Sequence, residues 1–171
     1  SIAQIAALFG VFAPPWDWVF LFTPSLFLAS AFLVLMVAVL GFAAEEHRIW
    51  GCLAVAFAIL YAALVSMVYF VELVVVVPLV LQAEEVSLLL FEPGSFMVAM
   101  DALGYAFMSV STLVAAPVFV GGGLLRWTRR ALIANGLLAF LYPILLAIGI
   151  LWIATLLLSA LLLTTVFNTA R

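Results

Sequence analysis

The chain has no lysine, one histidine and one cysteine, and few charges of any kind: 8% of its 171 residues are charged. Each scarcity excludes something. Without lysine there is no Schiff-base chemistry of the retinal type. A lone Cys52 rules out an intramolecular disulfide and any cysteine-based metal site, and inside an apolar run a free thiol behaves as a small hydrophobe. One histidine, His47, gives no two-histidine metal spacing. A solvated turn accounts for Glu45-Glu46-His47-Arg48 better than a metal or haem ligand does. Glycine-rich phosphate loops, nucleophile elbows and zinc-binding helices are all missing. The net charge is −3, and the single basic cluster flanks an apolar run, so nothing points to nucleic acid as a partner. The composition names no cofactor.

What is abundant is apolar surface. Hydrophobic residues make up 70% of the chain, against about half in a soluble domain, so a soluble core of this size could not bury them. Lipid is the natural solvent and the lipid bilayer the first partner. Only helices or closed barrels span it, because every backbone polar group must be paired internally. The runs are continuous rather than alternating, which favours helices. The expectation is an all-α integral membrane protein: one domain over 1–171, a bundle of about five transmembrane helices at 24–44, 49–73, 96–120, 129–147 and 150–168, and an outer amphipathic segment at 74–95.

The breaks follow from turn chemistry. Pro14-Pro15 stops any helix formed by the short apolar start, and Trp16 and Trp18 around Asp17 suit the headgroup zone. Thr23 and Pro24 read as an N-cap and first turn. The polar stretch from Glu45 to Arg48 is short enough for an antiparallel hairpin. Counting about 1.5 Å per residue, Glu72 lies about 34 Å beyond Ile49, near the far interface. Past it, Pro78 either kinks a continuing helix or starts a segment lying on the membrane. Pro93-Gly94-Ser95 ends that stretch, and Ser95 can cap the next helix. Pro117 kinks the end of the third span. Residues 131–167 are too long for one crossing, so two spans with a tight turn are expected.

Arginine fixes the orientation. Arg126, Arg129 and Arg130 follow the three glycines at 121–123, and arginine beside a span stays in the cytoplasm. With five spans, Arg48, this cluster and Arg171 fall on one side, and Asp17, Glu72, Glu84, Glu85, Glu92 and Asp101 on the other. The arginine-bearing loops and the C-terminus are therefore expected in the cytoplasm, in a multi-pass arrangement.

Two carboxylates within apolar surroundings, Glu72 and Asp101, are the first candidates for chemistry. Tyr69 lies three residues before Glu72 and Tyr105 four after Asp101, so each shares a helix face with its carboxylate. Two readings stand. The four residues form a polar pocket for a cation, a proton or a small polar headgroup, or both carboxylates sit at the interface and see water. Arg126, Trp127, Arg129 and Arg130 either set topology alone or also hold anionic lipid headgroups. Asn135 and Tyr142 suit hydrogen bonding between helices better than catalysis.

Three stretches carry a resemblance: Ala44-Glu45-Glu46-His47-Arg48-Ile49-Trp50, Tyr69-Phe70-Val71-Glu72-Leu73, and Asp101-Ala102-Leu103-Gly104-Tyr105 through Ala116-Pro117-Val118-Phe119. In these the chain resembles a group of uncharacterised bacterial multi-pass inner-membrane proteins, over most of 25–140. The resemblance implies the fold class and a bacterial inner (cytoplasmic) membrane, and no activity. The function expected is that of a non-enzymatic accessory or structural subunit, packing against other membrane subunits or in a homo-oligomer. The alternative is a small transporter or binding protein for a lipophilic or cationic ligand, using Glu72 and Asp101.

Overall fold

The computed structural model describes residues 15–82, 89–92 and 94–140, with 159, 161, 163–165, 168 and 169 near the C-terminus. The described residues are helical and contain no strand. In chain order they form α1 (Trp16–Phe42), a 3-10 turn (Glu45–His47), α2 (Arg48–Val71), a π-helical stretch (Glu72–Val76), α3 (Val77–Leu81), α4 (Phe96–Ala115), a 3-10 turn (Ala116–Val118) and α5 (Leu124–Phe140). Three helical runs are long and apolar enough to cross a membrane: Trp16–Phe42, Glu45–Leu81 and Phe96–Val118. Residues 141–158, where a turn between two last spans is expected, lie outside the described residues, as do Glu84, Glu85, Tyr142 and Pro143.

Four boundaries differ from the sequence expectation. The first helix starts at Trp16, not near 24, and Pro24 sits inside it. Proline within a long apolar helix leaves one carbonyl without its usual donor, and side chains and local adjustment make this good. Next to the proline, Ser25 Oγ donates to the Leu21 carbonyl at 2.8 Å. Second, no break occurs at 73–74. The second run continues to Leu81, so part of the expected outer segment at 74–95 extends a helix of 37 residues, about 55 Å long. Its passage to Pro78 is made by the π stretch, where the Val77 N–H reaches back to the Glu72 carbonyl. Pro78 has no N–H and its ring crowds the preceding turn, and a widened turn relieves that crowding. Third, α5 begins at Leu124, before 129, so the arginines lie on a helix and not in a loop. Leucine and arginine are both good helix formers. Fourth, α4 ends at Ala115, and Pro117 tightens the last turn to 3-10 geometry instead of bending a helix that reaches 120. Ser95 caps α4 as expected, its Oγ accepting from the Val98 N–H at 3.2 Å. Gly94 ahead of it holds φ 87°, a conformation that favours glycine.

The buried positions repeat at alternating spacings of three and four. They are Phe22, Ser25, Ala29, Phe32, Met36 and Val39 on α1, and Ala54, Ala58, Tyr61, Val65, Val68 and Glu72 along the second run. On α4 they are Met97, Asp101, Met108, Ser111 and Ala115, with buried Gly104 between Asp101 and Met108. This is the seam of left-handed helix packing. The opposite faces expose large apolar side chains such as Phe27, Val34, Ile59, Met67 and Leu103.

The chain divides into two compact units, Ser1–Phe32 with Leu60–Gly104, and Leu33–Ile59 with Tyr105–Arg171. In the first unit, Phe32 meets Tyr61 edge-on at 5.3 Å between ring centroids, and a Cβ on Gly104 would come within 2.6 Å of Val65 Cγ2. In the second, Ser111 Oγ donates to the Ala54 carbonyl at 2.7 Å, tying α4 to α2. Phe42 stacks on Phe119 at 5.6 Å, and a Cβ on Gly136 would lie 2.8 Å from the Ser109 carbonyl oxygen. Close approach of this kind, and not a hydrophobic drive between helices, holds apolar helices together in lipid.

Candidate functional site

The first unit has an acidic character with no basic side chain in its sequence ranges. Its acids are Asp17, Glu72, Glu84, Glu85, Glu92 and Asp101, whereas all five arginines and His47 fall in the ranges of the second unit. Two of these acids are buried. Glu72 is 1% exposed and Asp101 4%. Both stand on the inward seam of their helices, with their side chains covered by the protein.

Tyr69 joins them. It lies one turn before Glu72 on the same run, and its hydroxyl donates a hydrogen bond to the Asp101 carboxylate. Its ring is held by Phe22 of α1, stacked at 5.3 Å with 25° between the planes. Phe22 in turn meets Phe91 edge-on at 5.4 Å. Offset or edge-on rings of this kind add about 0.5–1.5 kcal/mol per pair beyond their area. The tyrosine is therefore fixed by packing before it reaches the carboxylate.

The remaining carboxylate oxygens are not satisfied. Glu72 Oε1, Glu72 Oε2 and Asp101 Oδ1 are buried and have no hydrogen-bond partner among the described residues. Buried polar atoms are nearly always paired, and each exception asks for an explanation. An isolated ionised carboxylate in an apolar interior is costly unless something neutralises it. No Lys, Arg or His of this unit can do so.

Tyr105 stands one turn after Asp101 on α4 and is half-buried, with its carbonyl accepting from Ser109 Oγ at 2.8 Å. Arg126, Trp127, Arg129 and Arg130 are exposed on the first turns of α5, and the Arg130 guanidinium lies 5.4 Å from the Trp127 ring centroid. Gly121 and Gly123, with φ 139° and 59°, turn the chain into that helix. Thr128 faces inward between the arginines, its Oγ1 donating to the Leu124 carbonyl at 3.1 Å. Asn135 makes the interhelical contact expected of it, Nδ2 donating to Thr112 Oγ1 at 3.4 Å, and its Oδ1 has no partner among the described residues. His47 Nδ1 lies 3.5 Å from Glu46 Oε1 in the 3-10 turn. Among the described residues no three His, Cys, Asp or Glu side chains gather as a metal-binding group.

Phe22 and Phe91 escape the sequence reading. Phe22 has the spacing of a seam residue relative to Ser25 and Ala29, which is legible. That it lies against Tyr69 depends on which helices are neighbours, which is not.

Comparison with known proteins adds no relative: no family model, no curated protein and no solved structure matches this chain.

Proposed function

We propose that this chain is a multi-pass membrane protein that binds a cation at Glu72 and Asp101, as a small transporter or binding protein. One observation carries the reading: two carboxylates are buried in a unit without a basic residue, and three of their four oxygens have no partner among the described residues. Ionisable groups within membrane helices are rare and by default mark a functional site, and this unit buries two of them. Three helical runs long enough to span lipid support the membrane setting, and the five-span topology, the bacterial inner membrane and the cytoplasmic arginines belong to the same proposal. Arg126, Arg129 and Arg130 beside Trp127 then rest among anionic headgroups on the cytoplasmic side.

The test is thermal unfolding of the full chain in lipid nanodiscs against sodium, calcium, methylammonium and tetraphenylphosphonium. A ligand at a hundred times its Kd stabilises the folded state by about 2.7 kcal/mol. At least one cation should raise the melting temperature, and the Glu72→Gln, Asp101→Asn double variant should lose that rise. No shift with any cation, or a shift that survives in the double variant, refutes the reading.

A second reading, an accessory subunit of a larger membrane assembly, draws on the outer face of α2, where the small residues Cys52 and Ala56 are exposed one turn apart. The native mass of gently extracted protein tests it: co-purifying subunits support it, and a monomer removes it.

A further inference from the structure

We infer that the arginine face of α5 is a binding surface selective for anionic phospholipid, with guanidinium groups on the headgroup phosphate and the Trp127 ring beside them. This rests on the membrane setting proposed above and not on the buried acids.

Helical spacing makes the face. Arg126, Arg129 and Arg130 stand at i, i+3 and i+4 on the first turns of α5, so they share one side of the helix. All three are exposed, whereas Thr128, Leu132 and Asn135 on the other side are buried. The arginines therefore point sideways, away from the packed side of their helix, which is where a membrane helix meets lipid. Arg126 reaches back over the glycine turn, its Nη2 3.9 Å from where a Cβ on Gly122 would stand. The Arg130 guanidinium sits against Trp127. That indole is 61% exposed, and an exposed amphipathic ring suits the headgroup level.

Charge gives the sign of the partner. Among the described residues none of the three arginines pairs with a carboxylate, and α5 has no acid in its first turn. The helix dipole disfavours cations at this end. An anion supplied by the surroundings offsets both effects, and the planar fork of arginine matches a phosphate. The hairpin turn of the same unit differs. There Glu45 and Glu46 outweigh Arg48, all three exposed, so that turn offers an anion no net attraction. Orienting the chain needs only positive charge on one side of the membrane. It does not call for three arginines on one outward helix face with a tryptophan beside them.

The experiment is equilibrium binding of tail-labelled phosphatidylglycerol and phosphatidylcholine to the full chain in non-ionic detergent, with inorganic phosphate as competitor. Phosphatidylglycerol should bind about tenfold or more tightly than phosphatidylcholine, and the preference should fall as salt is raised. Arg126→Gln, Arg129→Gln and Arg130→Gln should each weaken phosphatidylglycerol about two- to fivefold and leave phosphatidylcholine unchanged. Arg48→Gln removes the same charge outside the face and should alter neither. A role in topology alone acts during insertion and moves none of these affinities in detergent. Equal binding of the two lipids, a preference that survives the three substitutions together, or an equal loss in Arg48→Gln overturns the inference. Displacement of phosphatidylglycerol by an equal concentration of inorganic phosphate also overturns it, since the face would then serve a free anion. If the variants do not fold, the salt series on the unaltered chain carries the test, and a preference indifferent to salt counts against the inference. Flotation with vesicles checks the membrane setting separately. A chain that floats with vesicles of neither lipid removes that setting as well, and one that floats with both but shows no preference overturns this inference alone.

Discussion

At the scale of the residue, Glu72 is the clearest case of a group that the fold tolerates at a cost. Removing a lone buried acceptor by a side chain of similar size stabilises a protein when nothing else depends on it. Glu72→Met should raise the melting temperature, worth about 1–3 kcal/mol, while cation-dependent stabilisation disappears. A melting temperature that falls instead would mean that the carboxylate has a structural partner. Gly136 is the opposite case. A Cβ there would lie 2.7 Å from Leu113 Cδ2 and 2.8 Å from the Ser109 carbonyl oxygen, and the backbone cannot yield as a side chain can. Gly136→Ala should destabilise by about 1–3 kcal/mol, read as a lower melting temperature in nanodiscs, with no change in ligand affinity relative to the folded fraction. Much of this site is legible in the sequence: Glu72 and Asp101 stand out as acids in apolar runs, and Tyr69 follows from helical spacing. Their burial is not legible, because an acid six to ten residues from a helix end can face water or the bundle at the same position in the chain.

Among the elements, the long second run is the informative one. Its π stretch places an extra residue between Glu72 and Pro78, and such bulges recur at functional sites. Restoring an N–H at position 78 should let the helix close to ordinary α geometry. Pro78→Ala is therefore expected to slow amide exchange across 72–80 and to weaken Glu72-dependent cation stabilisation, both measurable on one sample; unchanged exchange would show that the bulge does not depend on the proline. Prolines account for most of the boundary errors as well. Pro24 and Pro78 read as helix ends by rules drawn from helices in water, whereas long apolar helices carry proline internally. Where a boundary rests on side-chain capping, as at Ser95, sequence and structure agree. The arginine segment reads as a loop because of its glycines and charge, yet only the glycines at 121–123 lie outside the helix.

For the whole molecule, the segregation of charge is the main result: every arginine lies in the ranges of one unit and the buried acids in those of the other. Under the proposed topology, single cysteines introduced at Glu45 and at Gln82 in a Cys52→Ala background should be labelled by an impermeant thiol reagent from opposite sides of the membrane. Labelling from one side only would rule out a spanning second run. This arrangement carries a consequence in volts. If the acid-bearing unit faces outward, a cation moving from the outside medium to Glu72 travels down part of an inside-negative potential. A full crossing is worth about 2.3 kcal/mol per elementary charge for each 100 mV, and a site part of the way across takes the corresponding fraction. Affinity measured in an unpolarised vesicle would then understate affinity in an energised membrane, and the membrane's own voltage would act as a co-ligand.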